Sequence, residues 1–178
     1  MVIKKIKQGW LASWEILVKE TFVDVFEHAR SFIGAFVGIG IIAFIQSKLL
    51  SNYENALLIG SFGASSVLIY GLFQSPMAKP RNFIGGHVIS AFVGVAVYKL
   101  GPDIIWLTAP MAVSFSIVFM QITKTLHPPG GASALIAVIG SAKIKALGFL
   151  FVLFPVLTGS LILLSVSLIL NRITPDRK

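Results

Sequence analysis

The chain has 178 residues, 56% of them hydrophobic and only 12% charged, with a mean hydropathy of +0.88 and a formal net charge of +8. Such a composition excludes an ordinary soluble domain and defines an integral membrane protein, with room for about six spans of roughly 20 residues. With no cysteine there is no disulfide, thiolate metal site or cysteine nucleophile, and the basic residues gather at the ends of apolar runs, which answers to membrane orientation rather than nucleic acid.

Residues 1–30 carry charges throughout and lack the apolar core and small-residue cleavage site of a signal peptide, so they are expected to be retained. Trp10, Leu11, Trp14, Leu17, Val18, Phe22, Val25 and Phe26 recur at three- and four-residue intervals, with Glu15, Lys19, Glu20, Asp24 and Glu27 on other faces. This pattern predicts an N-terminal amphipathic interfacial helix, its tryptophans at headgroup depth. A transmembrane domain follows over 31–170 and a cytoplasmic tail over 171–178.

The apolar runs cover residues 31–50, 57–73, 83–100, 105–122, 135–140 and 146–170, and all but the fifth are long enough to span as helices. The fifth is expected to begin near Ala132 and end near Ala142, 11 residues that rise about 16 Å, half of a 30 Å hydrocarbon core. If the preceding "HPPGG" enters as extended chain, the two pieces together make a sixth crossing. Of the 15 Lys and Arg, six crossings place 11 on the side of both termini, leaving Lys48, Lys99, Lys143 and Lys145 opposite. By the positive-inside rule both termini are then expected to be cytoplasmic, and without a transit peptide the inner membrane of a prokaryote is the expected location.

Two strings repeat, "GASSVLI" at 63–69 and "GASALIA" at 131–137. They lie three crossings apart, so the copies enter the membrane from opposite sides. The expected architecture is an all-α bundle of about six crossings, an inverted 3+3 repeat with two interrupted helices, which is the plan of secondary transporters that bind substrate near the midplane. Helix starts aimed at one cavity favour a small anion, through free N–H groups and the helix dipole. The expected binding residues are Gly63, Ala64, Ser65 and Ser66 in one copy and His127, Pro128, Pro129, Gly130, Gly131, Ala132 and Ser133 in the other. The prolines fix the entering chain, the glycines let a ligand approach, and the serines add hydroxyl donors.

The strings "GSFGASSVLIYGLFQSPMAKPRNFIGGH" and "HPPGGASAL" resemble the HPP family of small integral membrane proteins, over roughly residues 31–170. The resemblance implies four membrane helices, against the six crossings counted above. Because its plant chloroplast and cyanobacterial members are associated with nitrite transport, it also implies nitrite as substrate. Lys79 and Arg81, in a proline-bounded loop, are placed to attract anions.

His87, four residues into the third apolar run, and His127, which opens the broken helix, are the candidates for proton coupling or gating. All seven carboxylates fall outside the apolar cores, so a carboxylate relay is excluded. Neither paired acid and base groups nor metal-ligand spacing occurs, so the reading is no enzyme, no metal and no cofactor. The function expected is transport of a small inorganic anion, with a passive channel or a membrane scaffold that docks a partner as alternatives. The partners expected are the anion, the lipid bilayer and a further copy of the chain, and no nucleic acid.

Overall fold

The computed structural model describes residues 25–49 and 57–174. The expected amphipathic helix therefore lies mostly outside the described residues, and its last positions, from Val25, form the first turns of a long helix, α1 (Val25–Leu49). Helix α2 (Gly60–Ser66) runs directly into a π turn (Val67–Gly71). A 3-10 turn at Pro76–Ala78 leads to α3 (Pro80–Leu100), followed by α4 (Ile105–Ile122), α5 (Pro128–Ile139) and the short α6 (Ala142–Ala146). The chain ends in a broken element, Val152–Leu157 continuing as α7 (Thr158–Ile173), with non-helical backbone at Phe154 just before Pro155. All elements among the described residues are helical. Four are long and apolar enough to cross a membrane: Val25–Lys48, Pro80–Leu100, Ile105–Ile122 and Val152–Ile173.

Two sequence expectations are corrected. The run 57–73 is not one full span, because Leu57 and Leu58 form a bend, the N-cap Ile59 (φ −86, ψ 143) is extended, and the helix and its π turn end at Gly71. Leu57 and Ile59 are nonetheless buried, and the Leu57 N–H donates to Gln46 Oε1 at 2.8 Å, so a side chain from α1 satisfies this non-helical backbone. In addition, α5 starts at Pro128, four residues before the expected Ala132. Proline's fixed φ suits the first helical positions and its missing N–H costs nothing there. The residue before a proline is pushed out of the helical region, and His127 (φ −140, ψ 105) accordingly forms the N-cap. Among the described residues, four membrane-length helices and three shorter ones, α2, α5 and α6, thus stand where six crossings, or four, were expected.

The short helices are held by opposite means. Helix α5 lies backbone to backbone against α3, where a Cβ on Gly94 would sit 2.5 Å from the Ala134 carbonyl oxygen and one on Gly130 would sit 2.8 Å from that of Gly86. Such contact exists only because these positions are glycine, and in lipid this close packing takes the place of the hydrophobic effect. Helix α2 is held through Tyr70, whose ring fills the notch at Gly34 and Gly38 of α1 and whose hydroxyl donates to the Leu163 carbonyl of α7 at 2.9 Å. The π turn displaces carbonyls from the regular ladder. Ser167 and Ser31 recover two of them, donating to the Ile69 and Tyr70 oxygens at 3.1 and 3.0 Å.

One end of the bundle is tied by arginines. Arg81 donates to the Thr123 carbonyl at 3.1 Å, and Arg30 donates to Asn171 and stacks over Phe73 at 3.8 Å from the ring centroid. At the other end Lys145 lies over Tyr98 at 5.1 Å. Gly94→Ala is expected to lower stability in detergent by about 1–3 kcal/mol, since its new methyl meets backbone that has nowhere to move. Gly63→Ala, where nothing lies within 4 Å, should leave the unfolding midpoint unchanged.

Candidate functional site

Helix α2 carries Ser61 and Ser65 one turn apart on the same buried face, and α5 carries Ser133 five residues after its proline start. Between them α3 presents His87, and the extended chain before α5 presents His127. The two glycines before His87 make this approach possible, because a Cβ on Gly86 would stand 2.5 Å from the His127 Cβ and one on Gly85 would meet Thr125 at the same distance.

These side chains form one continuous chain. Ser65 Oγ lies 2.7 Å from His87 Nε2 and 2.8 Å from His127 Nε2. His87 Nδ1 lies 2.8 Å from Ser133 Oγ, which in turn lies 3.0 Å from Ser61 Oγ. At the other end His127 Nδ1 lies 2.9 Å from the Met77 carbonyl oxygen. Ser61, Ser65, His87, His127 and Ser133 are all 0% exposed, so the chain is sealed from water. Phe83 stands edge-on to both imidazoles at 5.2 Å, Phe62 does so to His87 at 5.5 Å, and the two imidazole centroids are 5.0 Å apart.

Donor counting fixes the tautomers of the uncharged chain. A carbonyl only accepts, so His127 donates from Nδ1 to Met77 and its Nε2 must accept from Ser65. Ser65 has a single proton, so its oxygen accepts from His87 Nε2–H, and His87 Nδ1 then accepts from Ser133. Every ring nitrogen is satisfied, as burial at this depth requires.

The expected residues are partly brought together. Ser65, His87, His127 and Ser133 meet. Ser66 is buried but turns away and donates to the Phe62 carbonyl at 2.9 Å, while Gly63 and Ala64 lie on the exposed face of α2. Pro129 and Gly130 are buried, Gly131 and Ala132 half-buried, and Pro128 exposed. Lys79 and Arg81 are exposed at the start of α3, and Arg81 is engaged with Thr123. The expected N–H donors at the start of α5 are not free: its first two residues are prolines, and the Gly130 N–H bonds to the His127 carbonyl at 2.8 Å. Side chains carry the polar chemistry instead. Sequence reading missed Ser61, which its place four residues before Ser65 in "SFGAS" does signal, and the Met77 carbonyl, which nothing in the sequence signals. It also missed Ser90, fully buried against Gly130 with no hydrogen-bond partner for its hydroxyl. Among the described residues no three His, Cys, Asp or Glu side chains are grouped to hold a metal ion.

Four membrane-length helices enclosing a sealed hydroxyl–imidazole chain define a multi-pass α-helical membrane protein. The model of the HPP transmembrane region matches residues 20–178, and the chain belongs to that family. It is 41% identical over 160 residues to one curated transmembrane protein of Dictyostelium discoideum and 40% identical over 158 residues to another. These alignments cover 87% and 86% of this chain but 50% and 55% of the relatives, so the chain spans about half the length of the curated relatives it matches. No solved structure matches.

Ser65→Ala strands a donor on His87 and an acceptor on His127, at about 1–3 kcal/mol for each buried group left unpaired. Denaturant unfolding in detergent should therefore show a loss well beyond that of Ser160→Ala, whose equally buried hydroxyl only bonds back to the Val156 carbonyl at 2.7 Å.

Proposed function

We propose that this protein is a secondary carrier for a small inorganic anion, nitrite first among the candidates, and not an enzyme. The observation that carries this reading is that the serines of the two Gly-Ala-Ser copies, Ser65 and Ser133, hold the two ring nitrogens of one histidine, His87. The bounds of the two short elements, 60–71 and 128–139, differ by the same 68 residues as the copies themselves. Ser61 meets Ser133 while Ser65 meets His127, so the two elements run antiparallel where they touch. An inverted repeat of three plus three elements accounts for all of this, with α1, α2 and α3 answering to α4, α5 and the α6–α7 segment. His87 then lies near the pseudo-twofold axis, where such repeats place the substrate.

Packing also suits alternating access. Helices α3, α4 and α5 pack together as one group, and α1, the π turn after α2 and α7 as another, with α2 itself lying against α5 and Val152–Leu157 against α3. The hydroxyl–imidazole chain crosses between them, with Ser61 and Ser65 on α2 and with His87 on α3, Ser133 on α5 and His127 just before it. Sealed as it is, the crossing corresponds to an occluded state. Substrate binds by replacing bonds of this chain, with the free Ser90 hydroxyl beside it as a further donor. The distribution of Lys and Arg supports both termini being cytoplasmic, with Lys79 and Arg81 at the cytoplasmic approach. A passive channel would use the same residues. A scaffold has no need of a polar chain at membrane depth, where it is costly to bury. Apolar side chains exposed along α1 and α4 face lipid or a second copy.

The test is uptake of labelled nitrite by liposomes containing the purified protein, with nitrate, formate, chloride and bicarbonate as competitors. Saturable uptake is expected, falling at least about tenfold in His87→Ala, the loss of one hydrogen bond to a charged group. Equal uptake in protein-free liposomes would sink the carrier reading.

A further inference from the structure

The buried chain has two complete ways of placing its protons, and they differ by one proton. In the uncharged register the donors all run one way, from Ser61 through Ser133, His87, Ser65 and His127 to the Met77 carbonyl. The carbonyl sets that direction, since the reverse would face it with a bare Nδ1 of His127. Now add a proton at Nδ1 of His87. An N–H bond forms as an O–H bond of the hydronium that delivers the proton breaks, water leaves, and His87 becomes an imidazolium that donates from both nitrogens. Ser133 Oγ must then accept, so its own proton turns to Ser61 Oγ, 3.0 Å away. The Ser61 hydroxyl proton is released from the chain.

The charge is shared through Ser65. When His87 Nε2 passes its proton to Ser65 Oγ and the Ser65 proton moves to His127 Nε2, the cation has moved to the second ring and every donor is again satisfied. A second proton has no such solution. Ser65 would face an N–H from each ring and its own proton would have no acceptor, with two like charges 5.0 Å apart in a dry interior. Among the described residues nothing else packed around the rings titrates or carries charge. Helices α2, α4 and α5 contain no Asp, Glu, Lys or Arg, and α3 holds such groups only at its ends, Arg81 and Lys99. Phe62 and Phe83 face the rings, and the Tyr70 hydroxyl is spent on Leu163.

We infer that Ser61, Ser133, His87, Ser65 and His127 act as a single acceptor that takes up one proton and, in doing so, frees the Ser61 hydroxyl as a donor to a monovalent anion, so that proton and anion move together one to one. The proton half stands on the geometry alone, and the anion half rests on the carrier reading. Coupling follows because the donor is offered only when the chain is charged, and the single positive charge is neutralised by one negative charge. The substrate class is the monovalent anion of a weak acid, carried without net charge.

Two measurements test it, with His28→Asn used to remove the remaining histidine signal. In liposomes, ¹⁵N solid-state NMR should show His127 protonated at Nδ1 and His87 at Nε2 when the chain is uncharged. On acidification the imidazolium signal should integrate to one per chain, spread over both rings; two per chain, or His127 protonated at Nε2 alone, would overturn the single acceptor. In nitrite uptake, one proton should enter per anion and the rate should not respond to a potassium diffusion potential. Ser61→Ala should raise the half-saturating nitrite concentration about tenfold. A current carried by nitrite, or an unaltered Ser61→Ala, would overturn the coupling. One proton by NMR with no flux of any anion tried would remove the anion half and the carrier reading together, and leave the single acceptor standing.

Discussion

A serine hydroxyl has one proton and an oxygen that accepts, and Ser65 is placed where both are needed at once, between Nε2 of His87 and Nε2 of His127. In water this would matter little, because either ring could turn to solvent. Sealed inside a bundle bounded by lipid, each ring nitrogen must find its partner in the protein. The position of one oxygen therefore constrains three separate elements: α2, which carries it, α3, which carries His87, and the extended segment before α5, which carries His127. Much of the unusual local structure follows from bringing those three together.

Its cost is visible in the glycines. Gly85 and Gly86 clear the path for Thr125 and His127, and Gly94 and Gly130 let α5 settle onto α3 with backbone in contact with backbone. Lipid offers no hydrophobic drive for helices to associate, so close packing of small residues and a few buried hydrogen bonds supply what holds the bundle together. The same stripe that packs α5 thus also aims Ser133 at His87. On the other side α2 has no such stripe. It is anchored by one large side chain, Tyr70, sunk between α1 and α7, and by serines that recover the carbonyls of its π turn. One short helix is fixed by surface contact and the other by an anchor near its end, which leaves the seam between them the natural place for movement.

Much of this was legible in the sequence. The Gly-Ala-Ser copies and the two histidines pointed to four side chains that the structure brings together, because polar groups are rare in apolar runs and need partners there. The long helices were legible for the same reason that membrane spans usually are, length and hydropathy. Hydropathy fails to report where a helix starts inside an apolar run. It read 57–73 as one span because the non-helical Leu57 and Ile59 are as apolar as helical residues, and it delayed α5 to Ala132 because "PPGG" carries low helix propensity. At a helix start the same prolines are favoured, and tertiary contact with α3 offsets what the glycines lack. Ser61 was within reach of an i, i+4 argument. The Met77 carbonyl was not, since a main-chain acceptor has no residue signature and its place depends on how the turn before α3 folds. The predicted amphipathic helix remains an expectation over residues outside those described.

The double proline at the start of α5 ties these threads together. A helix start of ordinary sequence would offer free N–H groups and would bind an anion at fixed strength, whatever the state of protonation nearby. Pro128 and Pro129 remove two of those donors and the Gly130 N–H is turned back onto the His127 carbonyl. What remains to bind a charge are hydroxyls and imidazoles, groups whose donors can be redirected by adding a single proton. Replacing a permanent donor by a switchable one is what a coupled site requires and what a purely structural helix start does not. The motif that interrupts the apolar run is therefore best understood by the donors it withholds.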